Sequence, residues 1–187
     1  MIRPAAPYAA PIAAALLLAG CVSAPQSPTP VPLAQAPLFD PFTFFAGASA
    51  GEGTLTKALA DPVAVRVTSS GRIVQETPRE AAWAPPPRRV LVIDQLVIEG
   101  DKPARKRQWR IHEIAPGRYA GTLSGAISPI EGRAEGNVLV LTFTIKGGLS
   151  VRQELTLSTD GRRAQNVMRV TKLGVTVAVL AEDIVKR

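Results

Sequence analysis

The sequence predicts an all-β body, an antiparallel up-and-down barrel of about 8–10 strands preceded by a short N-terminal helical turn. Three observations predict it. Apolar and polar residues alternate with period two in run after run, as in strands with one buried face. Short glycine-containing stretches of the kind that close tight hairpins separate those runs. No helical period is sustained over about ten residues, so there is no room for the crossovers that parallel strands require.

Residues 1–20 read as a secretory signal. Arg3 and the amino terminus supply the positive region. Residues 9–19 supply a short apolar core interrupted by Pro11. That core is shorter than the roughly 20 residues a membrane-spanning helix needs. Leu18-Ala19-Gly20-Cys21 then matches a lipobox, in which small residues precede a cysteine that becomes the acylated N-terminus. Cys21 is the single cysteine in the chain, and lipidation explains its oddness in a secreted protein. The pattern resembles a bacterial lipoprotein signal, which implies a diacylglycerol thioether and an N-acyl chain such as palmitate. Several acyl chains anchor stably where one is marginal. By the same resemblance, the lack of Asp at Val22 and Ser23 points to the outer membrane, with the protein facing the periplasm.

Residues 21–41 form the lipidated cysteine and a Pro-rich tether, with Pro25, Pro28, Pro30, Pro32, Pro37 and Pro41. Such a composition favours polyproline II and buries no core. About 15 residues at about 3.1 Å each would hold a domain roughly 45 Å from the membrane.

The barrel domain is expected over residues 42–187. It opens on an aromatic knot, Phe42-Thr43-Phe44-Phe45, with Pro41 suited to a first helical position and Asp40 to its cap. Gly47, Gly51 and Gly53 should end that turn. Val63, Val65 and Val67 then alternate with Ala64, Arg66 and Thr68. Residues 90–98 are nearly continuously apolar, broken by Asp94 and Gln95. Trp109 and Ile111 alternate with Arg110 and His112, and Tyr119, Gly121 and Leu123 with Ala120, Thr122 and Ser124. Leu139, Leu141, Phe143 and Ile145 make one face, as do Val151, Gln153, Leu155 and Leu157. Final strands are expected near residues 165–171 and 175–184. Hairpin signals are Ser69-Ser70-Gly71, Pro116-Gly117, Gly147-Gly148 and Asp160-Gly161. A meander of this length closes to remove its edges, which suggests a lipocalin-like (calycin-like) barrel. An outer-membrane barrel would need aromatic girdles, and aromatics are only 5% of this chain.

The chain of 187 residues carries 22 Lys+Arg against 15 Asp+Glu, net +7. Losing Arg3 with the signal leaves 21 against 15, or +6. In a cell envelope such a charge meets anionic lipid, lipopolysaccharide or peptidoglycan, and no nucleic-acid partner is expected.

Gly47-Ala48-Ser49-Ala50-Gly51 matches the G-x-S-x-G of hydrolases, but that motif needs a following helix and triad partners. The lone histidine, His112, alternates with Trp109 and Ile111 and belongs on a solvated face. No catalytic residue, metal site or cofactor is therefore expected, and the protein reads as non-enzymatic. Lys102, Arg105, Lys106 and Arg107 form the densest basic patch. A charge run of this kind serves either solvation or contact with an anionic surface. The candidate ligand-binding residues are Trp109, Tyr119, Phe143, Asn166 and Lys172. Asn166 and Lys172 share a face with Met168 and Val170, so they could orient the polar end of a ligand.

Several short motifs resemble the bacterial lipoproteins grouped as domain of unknown function 3833. They are Phe44-Phe45-Ala46-Gly47, Arg107-Gln108-Trp109-Arg110-Ile111, Tyr119-Ala120-Gly121, Gly132 with Gly136-Asn137, and Asn166 followed by Lys172-Leu173-Gly174. Where that family tends to carry an acidic pair and a tryptophan, this chain has Gln153-Glu154-Leu155-Thr156. The resemblance implies a lipocalin-like envelope lipoprotein and supplies no activity. Together these readings give two expectations. One is a barrel that binds or carries an apolar small molecule or lipid. The other is a side-chain-filled structural module that binds an envelope protein partner.

Overall fold

Ten antiparallel strands close into a barrel in the computed structural model, which describes residue 26 and residues 37–77 and 87–187. Each strand pairs with its neighbours in sequence, and the first pairs with the last to close the ring. The strands are β1 (Gly47–Lys57), β2 (Val63–Glu76), β3 (Arg88–Glu99), β4 (Arg105–Ala115) and β5 (Arg118–Leu123). They continue as β6 (Ile130–Glu135), β7 (Val138–Ile145), β8 (Leu149–Leu157), β9 (Arg163–Lys172) and β10 (Val175–Lys186). Cys21 and the signal lie outside the described residues, as does all of the tether before Pro37 except Gln26.

One end of the barrel is plugged. Helix α1 (Pro41–Phe45) begins with Asp40, whose Oδ1 accepts from Phe42 N at 2.9 Å and whose Oδ2 accepts from Thr43 Oγ1 at 2.6 Å. Pro41 fits the first turn because it has no N–H to leave unpaired. Phe39, Phe42, Phe44 and Phe45 are all buried. Phe44 stacks edge-on against Phe45 at 4.8 Å, and Phe42 sits 6.4 Å from the Tyr119 ring. Phe39 N donates to Gly136 O at 2.8 Å, which ties the entering chain to the β6–β7 turn. The core thus reaches back past the start of the aromatic knot to Phe39, the most deeply buried phenylalanine together with Phe44.

Alternation sets what fills the barrel. Trp109, Ile111, Tyr119, Leu139, Leu141 and Leu155 point inward and join one buried cluster with the phenylalanines. Each buried aliphatic or aromatic side chain of this size contributes about 1.5–3 kcal/mol. Strand β3 is buried along both faces from Val90 to Ile93, which accounts for its continuous apolar run.

The structure corrects two expectations. Ser69-Ser70-Gly71 is not a hairpin turn but the middle of β2, where Gly71 faces Gly47 and Ile93. A Cβ on Gly71 would lie 1.8 Å from Phe45 O, so the glycine admits the close approach of α1. The glycines after α1 end the helix as expected, but they also belong to β1, a strand the sequence pattern did not signal. Strand β6 likewise carried no signal. Glycine is depleted from strands because it has no side chain to pack, and β1 owes its place to pairing on both sides with β2 and β10.

Candidate functional site

The open end of the barrel holds a cavity of about 520 Å³. Its walls are Val97, Leu123, Phe143, Ile145, Val151, Met168 and Val170, contributed mainly by inward positions of β3, β7, β8 and β9. Arg105, Lys106, Arg107, Lys146, Ser124 and Gly125 complete it. The wall is thus apolar with a basic mouth.

Ladder register places Arg107 opposite Gln95, which in turn faces Ser69, so all three share the inner face of the barrel. Gln95 Oε1 accepts from Arg107 Nε and from Trp109 Nε1, both at 2.7 Å, and Gln95 Nε2 donates to Ser69 Oγ at 3.0 Å. The guanidinium of Arg107 lies 5.6 Å over the Trp109 ring. Trp109 in turn meets Phe143 edge-on at 5.7 Å. A chain of contacts therefore runs from the polar group on β3, through the basic residue on β4, to the apolar wall on β7.

Across the barrel, Glu182 on β10 accepts through Oε2 from Asn166 Nδ2 on β9 at 2.8 Å. Burial pushes the Glu182 carboxyl upward, against the Asn166 hydrogen bond and the attraction of Arg107. Gly51 makes room for it, since a Cβ there would lie 1.9 Å from Glu182 Oε1, while Gly53 admits the β10 backbone, where a Cβ would lie 2.1 Å from Ala181 O. Two buried polar atoms, Ser49 Oγ and Asn166 Oδ1, have no partner among the described residues. Buried polar groups are nearly always hydrogen-bonded, so this belt of the interior has unused capacity to bond a polar guest.

The remaining cations of the mouth are organised differently. Glu99, buried at the end of β3, binds Lys102 Nζ at 2.8 Å, Arg105 Nη2 at 3.0 Å, and Lys57. These partners hold its carboxyl down at about 2, the hydrogen bonds from Lys102 and Lys57 acting most strongly. Lys102 and Arg105 are therefore joined to an acid, while Lys106 points outward from an exposed strand position.

Of the candidate ligand residues, the structure brings Phe143 into the cavity and sets Trp109 beneath Arg107, a residue expected only in the basic surface patch and found here lining the cavity. Tyr119 is at the plugged end beside Phe42, where burial first and then Glu113 and Asp40 push its hydroxyl up to about 12. Asn166 is deep and paired with Glu182. Lys172 is exposed at the β9–β10 turn. Gln95, Glu99 and Glu182 escaped the sequence reading. Glu182 had a signal, since it falls at the same two-residue spacing as Leu180 and Ile184 and so shares the apolar face of β10. Ser49 lies within β1 rather than on a strand-to-helix turn, and His112 Nε2 is 3.0 Å from Arg88 Nη1 on the outer face. The hydrolase motif thus lacks its structural context.

No family model matches the chain. No curated protein matches it either. Solved structures do resemble it. The S-type phycobiliprotein lyase CPES from Guillardia theta has a TM-score of 0.57 at 10% identity, over 78% of this chain and 90% of that one. Rv2717c from M. tuberculosis has a TM-score of 0.57 at 14% identity, over 78% of this chain and 94% of that one. A protein of unknown function from Nostoc punctiforme, of the domain of unknown function 3598 family, has a TM-score of 0.47 at 10% identity, over 85% of this chain and 52% of that one. The first two likenesses identify a shared barrel fold.

Proposed function

We propose that this chain is a lipid-anchored envelope protein whose barrel binds or carries an apolar small molecule or lipid at its open end, in the manner of a lipocalin and without catalysis. The observation that carries the reading is the apolar-walled cavity of about 520 Å³. Ligand pockets typically run about 300–1,000 Å³ with a few polar groups that fix orientation. Barrels of about eight or more strands can hold one small ligand inside. The lipobox ending at Cys21 and the motifs resembling domain of unknown function 3833 supply the envelope part of the reading. One protein of like fold is named a lyase. The non-catalytic reading here rests on the cavity residues, which among those described include neither a carboxylate nor a histidine.

A second reading, a filled barrel serving as a partner-binding module, draws on the plugged half. There Phe39, Phe42, Phe44 and Leu139 occupy the interior.

The two are separated by native mass spectrometry of the full chain carrying Cys21→Ser, purified without detergent, followed by titration with an apolar fluorescent dye. A lipid-sized adduct or saturable dye uptake, lost when Leu123→Trp fills the cavity, is expected. A clean protein mass with no dye uptake would overturn the carrier reading in favour of the filled module. Radiolabelled palmitate incorporated by the parent chain and not by Cys21→Ser would support the anchor, and equal labelling of the two would remove it.

A further inference from the structure

We infer that the ligand is an amphiphile with a single acidic head, a long-chain carboxylate, and that Arg107 is the residue that pairs with it. The inference rests on the carrier reading above and deepens it.

Three observations converge on Arg107. It lines the cavity from an inward ladder position and is only partly exposed, whereas its sequence neighbour Lys106 borders the mouth from the exposed outer side of the same strand. Its fork is already positioned: Nε is held by Gln95 Oε1 at 2.7 Å, and its plane lies over Trp109 at 5.6 Å. Among the described residues no carboxylate lies within ion-pair distance of it, whereas Lys57, Lys102 and Arg105 all converge on Glu99. The acid that attracts it from further away, Glu182, is itself driven toward its neutral form by burial. A desolvated cation with no paired anion is unfavourable. A guanidinium whose Nε is occupied still has two terminal nitrogens, which match the two oxygens of a carboxylate. Lys106 and Lys146 also line the cavity but are exposed to solvent, so Arg107 is its one partly buried cation without a carboxylate at ion-pair distance among the described residues, and one such charge calls for one negative charge. A dianionic phosphate monoester would leave an excess charge in the same apolar surroundings. Leu123, Phe143, Ile145, Val151, Met168 and Val170 surround the space with apolar surface suited to a hydrocarbon chain.

The test compares oleate, oleyl alcohol and oleyl phosphate at pH 7.4, each displacing an apolar dye from the full chain carrying Cys21→Ser. The parent should bind oleate about ten-fold or more tighter than the alcohol, the size of one charge-assisted hydrogen-bonded pair. Arg107→Met, which keeps a comparable apolar stem, should bind both alike while still binding the alcohol. Equal binding of acid and alcohol by the parent would overturn the inference, as would a preference that survives Arg107→Met. Oleyl phosphate binding more tightly than oleate would overturn the single-charge assignment. If none of the three binds, oleyl alcohol included, it is the carrier reading itself that fails.

Discussion

Replacing Glu99 by Gln should cost stability at neutral pH and cost nothing in strong acid. Glu99 gathers Lys57 from β1 and Lys102 and Arg105 from the β3–β4 connection, so it fastens two sides of the open mouth. Its carboxyl is held at about 2 against an ordinary 4.5. At about 1.36 kcal/mol per pKa unit, that difference sets an upper bound of about 3 kcal/mol. The three cations are 40%, 61% and 69% exposed. Solvent screens such partners, which reduces the expected loss to about 1–2 kcal/mol. For a chain of this size each kcal/mol moves Tm by about 2–4 °C, so Glu99→Gln should melt about 2–8 °C lower at pH 7. The sign with pH follows from a folded-state pKa below the unfolded one. The stabilisation is complete above about 4.5 and fades as pH falls toward about 2. Thermal melts followed by circular dichroism at pH 7, 4 and 2 would show the gap between parent and variant closing. Equal melting at pH 7, or a gap undiminished at pH 2, would refute the reasoning.

Two further predictions follow from buried groups. Glu182→Gln keeps an acceptor for Asn166 but cannot ionise. Because burial raises the Glu182 pKa in the folded state, the parent should lose stability as pH rises above about 4.5 and through that raised value, and the variant should not. Tm measured from pH 4 to 9 checks this, and a variant markedly less stable than the parent at pH 7 would mean that attraction between Arg107 and Glu182 outweighs burial. Phe44→Ala should cost about 3–5 kcal/mol, the usual loss for a buried phenylalanine; Phe44 is 2% exposed and touches two other phenylalanine rings. Urea unfolding measures the loss, and a change below about 1 kcal/mol would show that α1 is not part of the cooperative core.

Period-two alternation determined, from the sequence alone, most of the strands and the face each one buries. Trp109 and Phe143 are inside because their neighbours Gln108, Arg110, Thr142 and Thr144 are polar, and a strand has only two faces. The aromatic knot with its Asp40-Pro41 start was equally local, since a helix cap needs only nearby residues. Tertiary structure decided what alternation cannot express. Strand β1 closes the barrel although Gly47, Gly51 and Gly53 argue against a strand, because β2 and β10 pair with it on both sides. Gly51 then supplies the space that the Glu182 side chain occupies, and Gly53 admits the close backbone of β10. Within one basic run, Lys102 and Arg105 go to Glu99 while Arg107 turns onto Gln95 and Trp109. The candidate site brings together Gln95, Arg107, Phe143, Asn166 and Glu182, residues far apart along the chain. Alternation says which way each side chain points within its own strand, but only the register of ten strands around a closed ring decides which inward side chains meet.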